Sequence, residues 1–245
     1  IETQAKTYKS VFDAFPGKHI VVRTLDAGAD KPLPFLNVNP EENPALGVRG
    51  FRTDWTVPGV LTRQLEAIKL ASARNFANML KEIGLPVHGV MVETPAAVMN
   101  AEAILGEVDF VSIGTNDLTQ YTMAADRLLG DLAHLNNPWQ PAVLKMIKMT
   151  VEGAQRASVT AGKKKYVSVC GEAAADPALA VVLIGLGVDT LSMNAGAIPA
   201  VAAVLKSVTK EKAQQIAAIA LQQISSAEAK ESARKALPIL DELGL

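Results

Sequence analysis

The 245-residue sequence predicts a parallel α/β fold of the barrel type. Three observations predict it. Five short Val/Ile-rich runs, residues 19–25, 87–92, 108–113, 166–169 and 190–193, alternate with helical patterns. The runs are nearly continuous in apolar residues, as in parallel strands buried on both faces. Each of the first four is followed closely by side chains able to do chemistry: Arg23-Thr24-Leu25-Asp26, Glu93-Thr94-Pro95, Asn116-Asp117 and Cys170-Gly171-Glu172. In barrels and open parallel sheets alike, the carboxyl ends of the strands form the active face. A doubly wound sheet would concentrate its site at one switch point, usually with a glycine-rich phosphate loop, and no G-x-G-x-x-G or Walker A sequence occurs. Residues spread over several strand ends favour a (β/α)8 barrel, read as one domain over residues 1–245.

The connecting segments follow in order. After the first strand, Leu61, Leu65 and Ile68 share one helical face, as do Phe76, Met79, Leu80 and Ile83. Thr94-Pro95 after the second strand reads as an N-cap with proline at the first helical position. Leu144, Ile147 and Val151 mark the helix before the fourth strand. Asp176-Pro177 repeats the capping signal, and the apolar stretch 181–188 is too short to span a membrane and reads as a buried helix. Ser225 and Glu228 match a capping box near the end.

Composition narrows the function. With 24 basic and 25 acidic residues the formal charge is -1, so no nucleic-acid footprint is expected. The triplet Lys163-Lys164-Lys165 reads as a solvated loop. The single cysteine excludes an internal disulfide and fits a reducing, cytoplasmic setting. No membrane insertion is expected, and the first residues carry no signal-peptide pattern. The chain starts at Ile1 without an initiating Met and reads as part of a longer protein.

Several residues can be weighed individually. Glu93 and Asp117 end adjacent strands and could chelate Mg²⁺ or Mn²⁺, with water and substrate oxygens completing the shell. Their plainer reading is that each caps the helix that follows. Arg23 and Arg49 offer guanidinium forks suited to phosphate; the alternative is an ion pair with Asp26, Asp30 or Glu42. Arg127 follows Asp126, and exposed Asp-Arg pairs are worth little. Cys170 is either an inert buried thiol or, beside a cationic pocket, a proton donor. His19 and His88 fall at strand starts, the stability face of a barrel, and neither looks catalytic.

The stretches "VVRTLDAGADKPLP", "ENPALGVRGFR", "GVMVETPAA", "FVSIGTNDLTQYTMAADR", "CGEAAADP" and "LSMNAGAIP" together carry a resemblance. In this order they resemble the phosphoenolpyruvate-binding TIM barrel of the Enzyme I family, the phosphoenolpyruvate-protein phosphotransferases of the bacterial sugar phosphotransferase system. That family belongs to the PEP-utilising enzymes. The resemblance runs from about residue 18 to 205. It implies Mg²⁺-dependent binding of phosphoenolpyruvate (PEP) and transfer of its phosphoryl group to a histidine on an N-terminal domain, with release of pyruvate. Through that domain the histidine-containing phosphocarrier protein becomes a partner, and a homodimer is implied. By match to the motifs, Glu93 and Asp117 would be metal ligands, and Arg23 and Arg49 would hold the phosphoryl group. Asn116 and Arg127 would orient the substrate, Cys170 would protonate the enolate, and Lys31 would add charge at the rim.

The sequence departs from this family in three ways. The phosphohistidine motif is absent. A strand expected before residue 1 is missing, as is another expected near residues 73–74, where Ala71-Ser72-Ala73 runs straight into Arg74-Asn75-Phe76. A barrel short of two strands exposes unpaired edges. The expectation is that the sequence omits residues of the real molecule. Two other readings stay open: the corresponding domain of pyruvate phosphate dikinase or PEP synthase, and a degenerate barrel serving as a dimerisation module.

Overall fold

A Val/Ile-rich run becomes a strand where a neighbour takes up its N–H and C=O groups. Four of the five runs meet that condition in the computed structural model, which describes residues 1–29, 31–36, 39–76 and 87–245. The chain divides into two compact units, Ile1–Pro86 and Val87–Leu245.

In the first unit, helix α1 (Glu2–Ala14) packs on α3 (Val60–Phe76), with the short α2 (Thr53–Thr56) before it. Ala5, Ala67 and Ala71 are fully buried, with Tyr8, Phe12 and Leu70 against them. Gln64 adds a polar tie, donating from Nε2 to the Tyr8 hydroxyl at 2.9 Å. The sequence placed Leu61, Leu65 and Ile68 on the inward face, but Leu65 is 41% exposed. Close approach of two helices selects small residues at the seam, so alanines take the inward positions. The run 19–25 is also corrected: it forms no strand. Among the described residues of this unit no strand exists to pair with it. Val21 is left 76% exposed, and the Leu25 N–H donates to Gln64 Oε1 at 2.8 Å instead of to a ladder. Near residues 73–74 the backbone is helical as part of α3, so no strand stands there. Met79, Leu80 and Ile83 of the second expected helical face lie outside the described residues.

The second unit runs β1 (Gly89–Val92), α4 (Pro95–Met99), α5 (Ala101–Glu107), β2 (Phe110–Gly114), α6 (Thr115–Met123), α7 (Pro141–Ala161), β3 (Tyr166–Cys170), α8 (Glu172–Ala175), α9 (Pro177–Leu186) and β4 (Thr190–Ser192). It ends in α10 (Ile198–Lys206), α11 (Lys210–Leu221), α12 (Ser226–Lys235) and α13 (Ile239–Glu242). The four strands form one parallel sheet in the order β1-β2-β3-β4. A (β/α)8 barrel was expected; the described residues show a parallel α/β fold with these four strands.

The core confirms the strand and helix periodicities. Val92, Val111, Ile113, Val167 and Val169 are buried on the sheet, and Leu144, Ile147 and Val151 face it from α7. Helix α9 is apolar all round and buried as expected, with Leu179 and Leu183 fully enclosed, each contributing about 2 kcal/mol by removal from water. Both proline-headed helices carry their predicted caps. Thr94 Oγ1 accepts from Ala97 N–H at 3.3 Å, and Asp176 Oδ1 accepts from Ala178 and Leu179 N–H at 2.9 and 3.1 Å. Ser225 Oγ accepts from Glu228 N–H, while the Glu228 carboxylate reaches one residue further back than a standard box, to Ile224 N–H. Among the described residues no helix is long and apolar enough to cross a membrane.

The Lys163-Lys164-Lys165 triplet is not simply a solvated loop. Lys163 Nζ bonds Asp109 Oδ1 at 2.7 Å, Lys164 pairs with Asp189, and buried Lys165 donates to the Val108 carbonyl at 2.7 Å. These ties clamp the amino ends of the strands, away from the candidate site. The Lys163 bond, followed by the His88 N–H, holds the Asp109 carboxyl below its ordinary value of 3.8. A lowered folded value means stabilisation that is present above 3.8 and lost as pH falls through the lowered value. Asp109→Asn should therefore lower Tm at neutral pH, and the difference from the parent should close as thermal melts are taken into strongly acid buffer. A difference that persists unchanged into acid would contradict this origin.

Candidate functional site

The parallel register sets the site in rows. Val92 lies opposite Ile113, which lies opposite Val169, and the next row brings Gly114 opposite Cys170 and Cys170 opposite Ser192. Glu93 follows Val92 and so joins this last row. Its side chain lies across Gly114: a Cβ there would meet the Glu93 carboxylate and sit 2.7 Å from its Cγ. The glycine in "SIGTNDLTQY" is thus what lets a carboxylate from the neighbouring strand cover the end of β2.

Helix α6 begins at once after Gly114, which puts Asn116 and Asp117 in its first turn. Asp117 is 8% exposed. It accepts from Arg127 Nη1 at 3.1 Å, a charge-assisted bond that offsets the cost of burying the carboxylate. Gln120 holds the returning chain in place, since its Oε1 accepts the Arg127 backbone N–H at 2.9 Å. Arg127 therefore serves Asp117, not the adjacent Asp126 considered from sequence. The capping alternative for the carboxylates is not what the structure has: Thr94, not Glu93, caps α4, and Asp117 lies inside α6.

Two bonds cross from α6 to the end of β3. Thr115 Oγ1 donates to the Cys170 carbonyl at 3.3 Å, and Asn116 Nδ2 donates to Glu172 Oε2 at 2.6 Å. Cys170 is half-buried, its Sγ donating to the Ile113 carbonyl at 3.6 Å. Gly171 turns the chain with φ +96, a conformation that a Cβ would strain, and its N–H bonds the Ser192 carbonyl at 3.1 Å. The Asn116 bond is the main reason the Glu172 carboxyl sits below the usual glutamate range; its own N–H at the start of α8 and the field of Arg127 act in the same direction.

In the first unit the predicted phosphate-binding arginines share one carboxylate. Asp26 Oδ2 lies 2.9 Å from Arg23 Nη2, 3.5 Å from Arg49 Nη2 and 3.7 Å from Lys31 Nζ. The ion-pair alternative weighed for Arg23 and Arg49 is met by Asp26 itself.

The structure thus gathers Glu93, Asn116, Asp117, Arg127 and Cys170 around one set of strand ends in the second unit. It gathers Arg23, Arg49 and Lys31 around Asp26 in the first. Two residues named among the strand-end side chains were given no role in the site: Glu172, within "CGEAAADP", and Asp26, which was weighed individually as an ion-pair partner. Among the described residues no three His, Cys, Asp or Glu side chains converge as a closed metal cage. Two hard carboxylates suit a cation that takes one or two protein ligands and completes its shell with water and phosphate oxygens.

Comparison with known proteins gives a consistent picture. The family described as "PEP-utilising enzyme, PEP-binding domain" matches residues 1–87 and 80–210. A phosphoenolpyruvate-protein phosphotransferase of Streptomyces coelicolor is 44% identical over 96% of this chain and 45% of its own length. Proteins of the same name from Haloferax volcanii and Haemophilus influenzae are 37% and 35% identical over 94% and 93% of this chain, and 45% and 44% of their own lengths. The chain spans less than half the length of these relatives. The Streptomyces alignment extends over 256 positions, more than the chain has residues, so the relative carries residues within the matched region that this chain lacks.

Proposed function

The chain belongs to the PEP-utilising enzyme family, matched in its PEP-binding domain, and from that premise we propose that it binds PEP and supplies the enolate half of a phosphoryl transfer to a protein histidine. The observation that carries this reading is the row of strand ends in the second unit. It combines two carboxylates, a guanidinium fork, an amide and a thiol on consecutive parallel strands and the turns after them. The sheet order without reversal suits a segment of a (β/α)8 barrel, because a doubly wound sheet reverses at its switch point. The residues that the Streptomyces relative has in addition within the matched region are enough for the strand expected near residues 73–74.

In the proposed mechanism Arg23 and Arg49 grip the phosphoryl oxygens, with Asp26 fixing the direction of both forks. Glu93 and Asp117 would hold Mg²⁺, which supplies charge neutralisation on phosphate and enol oxygens. Asn116 and Arg127 orient the substrate. The histidine of a separate domain attacks phosphorus, the bond from phosphorus to the enol oxygen breaks, and the electron pair stays on the enolate. Cys170 then gives its thiol proton to the methylene carbon, leaving pyruvate and a thiolate. Positioning and electrostatics dominate, as phosphoryl transfer requires. The acceptor domain, a phosphocarrier partner, cytoplasmic location, homodimer formation and a place in sugar uptake complete the reading.

Calorimetric titration of PEP into the purified chain tests it. Saturable binding that requires Mg²⁺ is expected. A folded chain that takes up no PEP with Mg²⁺ present would overturn the reading in favour of a structural module.

A further inference from the structure

Glu172 has no role in the mechanism above, yet it makes a short side-chain bond to a site residue, 2.6 Å from Asn116. A glutamate in the first turn of a helix often serves that turn alone. Here the carboxylate, besides its own N–H, reaches 56 residues back in sequence, to Asn116 Nδ2 at 2.6 Å. An ionised carboxylate accepts and cannot donate. Asn116 must therefore offer its NH₂ side to Glu172, and the amide cannot flip. Its Oδ1 and second N–H are then fixed in direction. Two neighbouring residues reinforce it. Gly171 takes a left-handed turn that carries Glu172 back over α6, and Thr115, next to Asn116, bonds the Cys170 carbonyl at 3.3 Å. Ionisation of Glu172 is favoured by the Asn116 bond itself and by Arg127 nearby.

We propose that Glu172 is a positioning residue: it locks the Asn116 amide in one orientation and ties it to the Cys170 turn, keeping substrate-orienting amide and proton-donating thiol in one geometry. This rests on the functional reading above. Glu172 touches neither substrate nor reacting atoms; it acts through Asn116.

The test compares the parent, Glu172→Gln, Asn116→Ala and the double variant. Glutamine preserves size but can donate or accept, so both amide orientations become possible. The readout is Mg²⁺-dependent exchange of pyruvate methyl hydrogens for deuterium, followed by proton NMR. This needs enolisation at Cys170 and no phosphoryl acceptor. Glu172→Gln should exchange about tenfold more slowly while PEP affinity stays within about threefold of the parent. In the Asn116→Ala background it should cost nothing further. An equal loss in both backgrounds would mean that Glu172 serves the loop, and would overturn the role. So would exchange at the parental rate. A readout without substrate stands beside this: the Asn116 side-chain amide resonances must shift in Glu172→Gln, and unchanged resonances also overturn it. A parent that neither binds PEP nor exchanges overturns the functional reading and this role together. A parent that does both, with a silent Glu172→Gln, overturns this role alone.

Discussion

Arg127→Ala should lower PEP affinity about a hundredfold at saturating Mg²⁺, the scale for truncating one partner of a hydrogen-bonded, desolvated charge pair. Two losses combine. The substrate loses a guanidinium donor, and Asp117 loses the cation 3.1 Å away that offsets its burial. The side chains of the pair are 24% and 12% exposed, between the surface and buried limits, so the cost to stability should be about 1–2 kcal/mol. That is small against a folded domain, and circular dichroism should show an intact α/β signature. Arg127→Lys should fall between parent and alanine, since it restores charge but not the planar fork. A folded Arg127→Ala that binds PEP as the parent does would remove Arg127 from the site and leave its bond to Asp117 a structural one.

What could be read from the sequence depended on the range of the interaction. Strands β1 to β4 were legible because an apolar run between turn signals needs no knowledge of its neighbours. Residues 19–25 show the same composition but form no strand, because a ladder needs a partner and composition does not reveal whether one exists. The caps at Thr94, Asp176 and Ser225 were legible because their partners lie two or three residues away. The face of α3 was misjudged because packing on α1 favours Ala67 and Ala71, while hydrophobicity favours Leu65. The same division runs through the site. Glu93, Asn116, Asp117 and Cys170 stood out because they end strands. For Arg127 the sequence offered only its neighbour Asp126 as a partner, whereas the chain loops back ten residues to Asp117. The Asn116–Glu172 bond and the role of Lys163 at Asp109 span more than fifty residues, and no spacing rule reaches that far.

Gly185→Ala should destabilise the chain by about 2 kcal/mol, although alanine is the better helix former by about 1 kcal/mol. Gly185 lies inside α9, where α11 crosses close by. An added Cβ would sit 2.5 Å from the Ala213 carbonyl carbon, closer still to its oxygen, and 2.9 Å from the Ala217 Cβ. The obstacle is backbone, so no side-chain rotation relieves it, and the helices must separate. Separation loosens the seam where Leu179 and Leu183 of α9 and Ile216 of α11 are buried without exposure. At this chain length the loss corresponds to a Tm lower by about 4–8 °C. Gly106 in α5 is the control: nothing lies within 4 Å of a Cβ there, so Gly106→Ala should raise stability by up to about 1 kcal/mol. The same atom added to two helices thus has opposite signs, and space alone sets which. Equal Tm values for the two variants would show that α9 and α11 can part at no cost, and that the close approach is not what holds them.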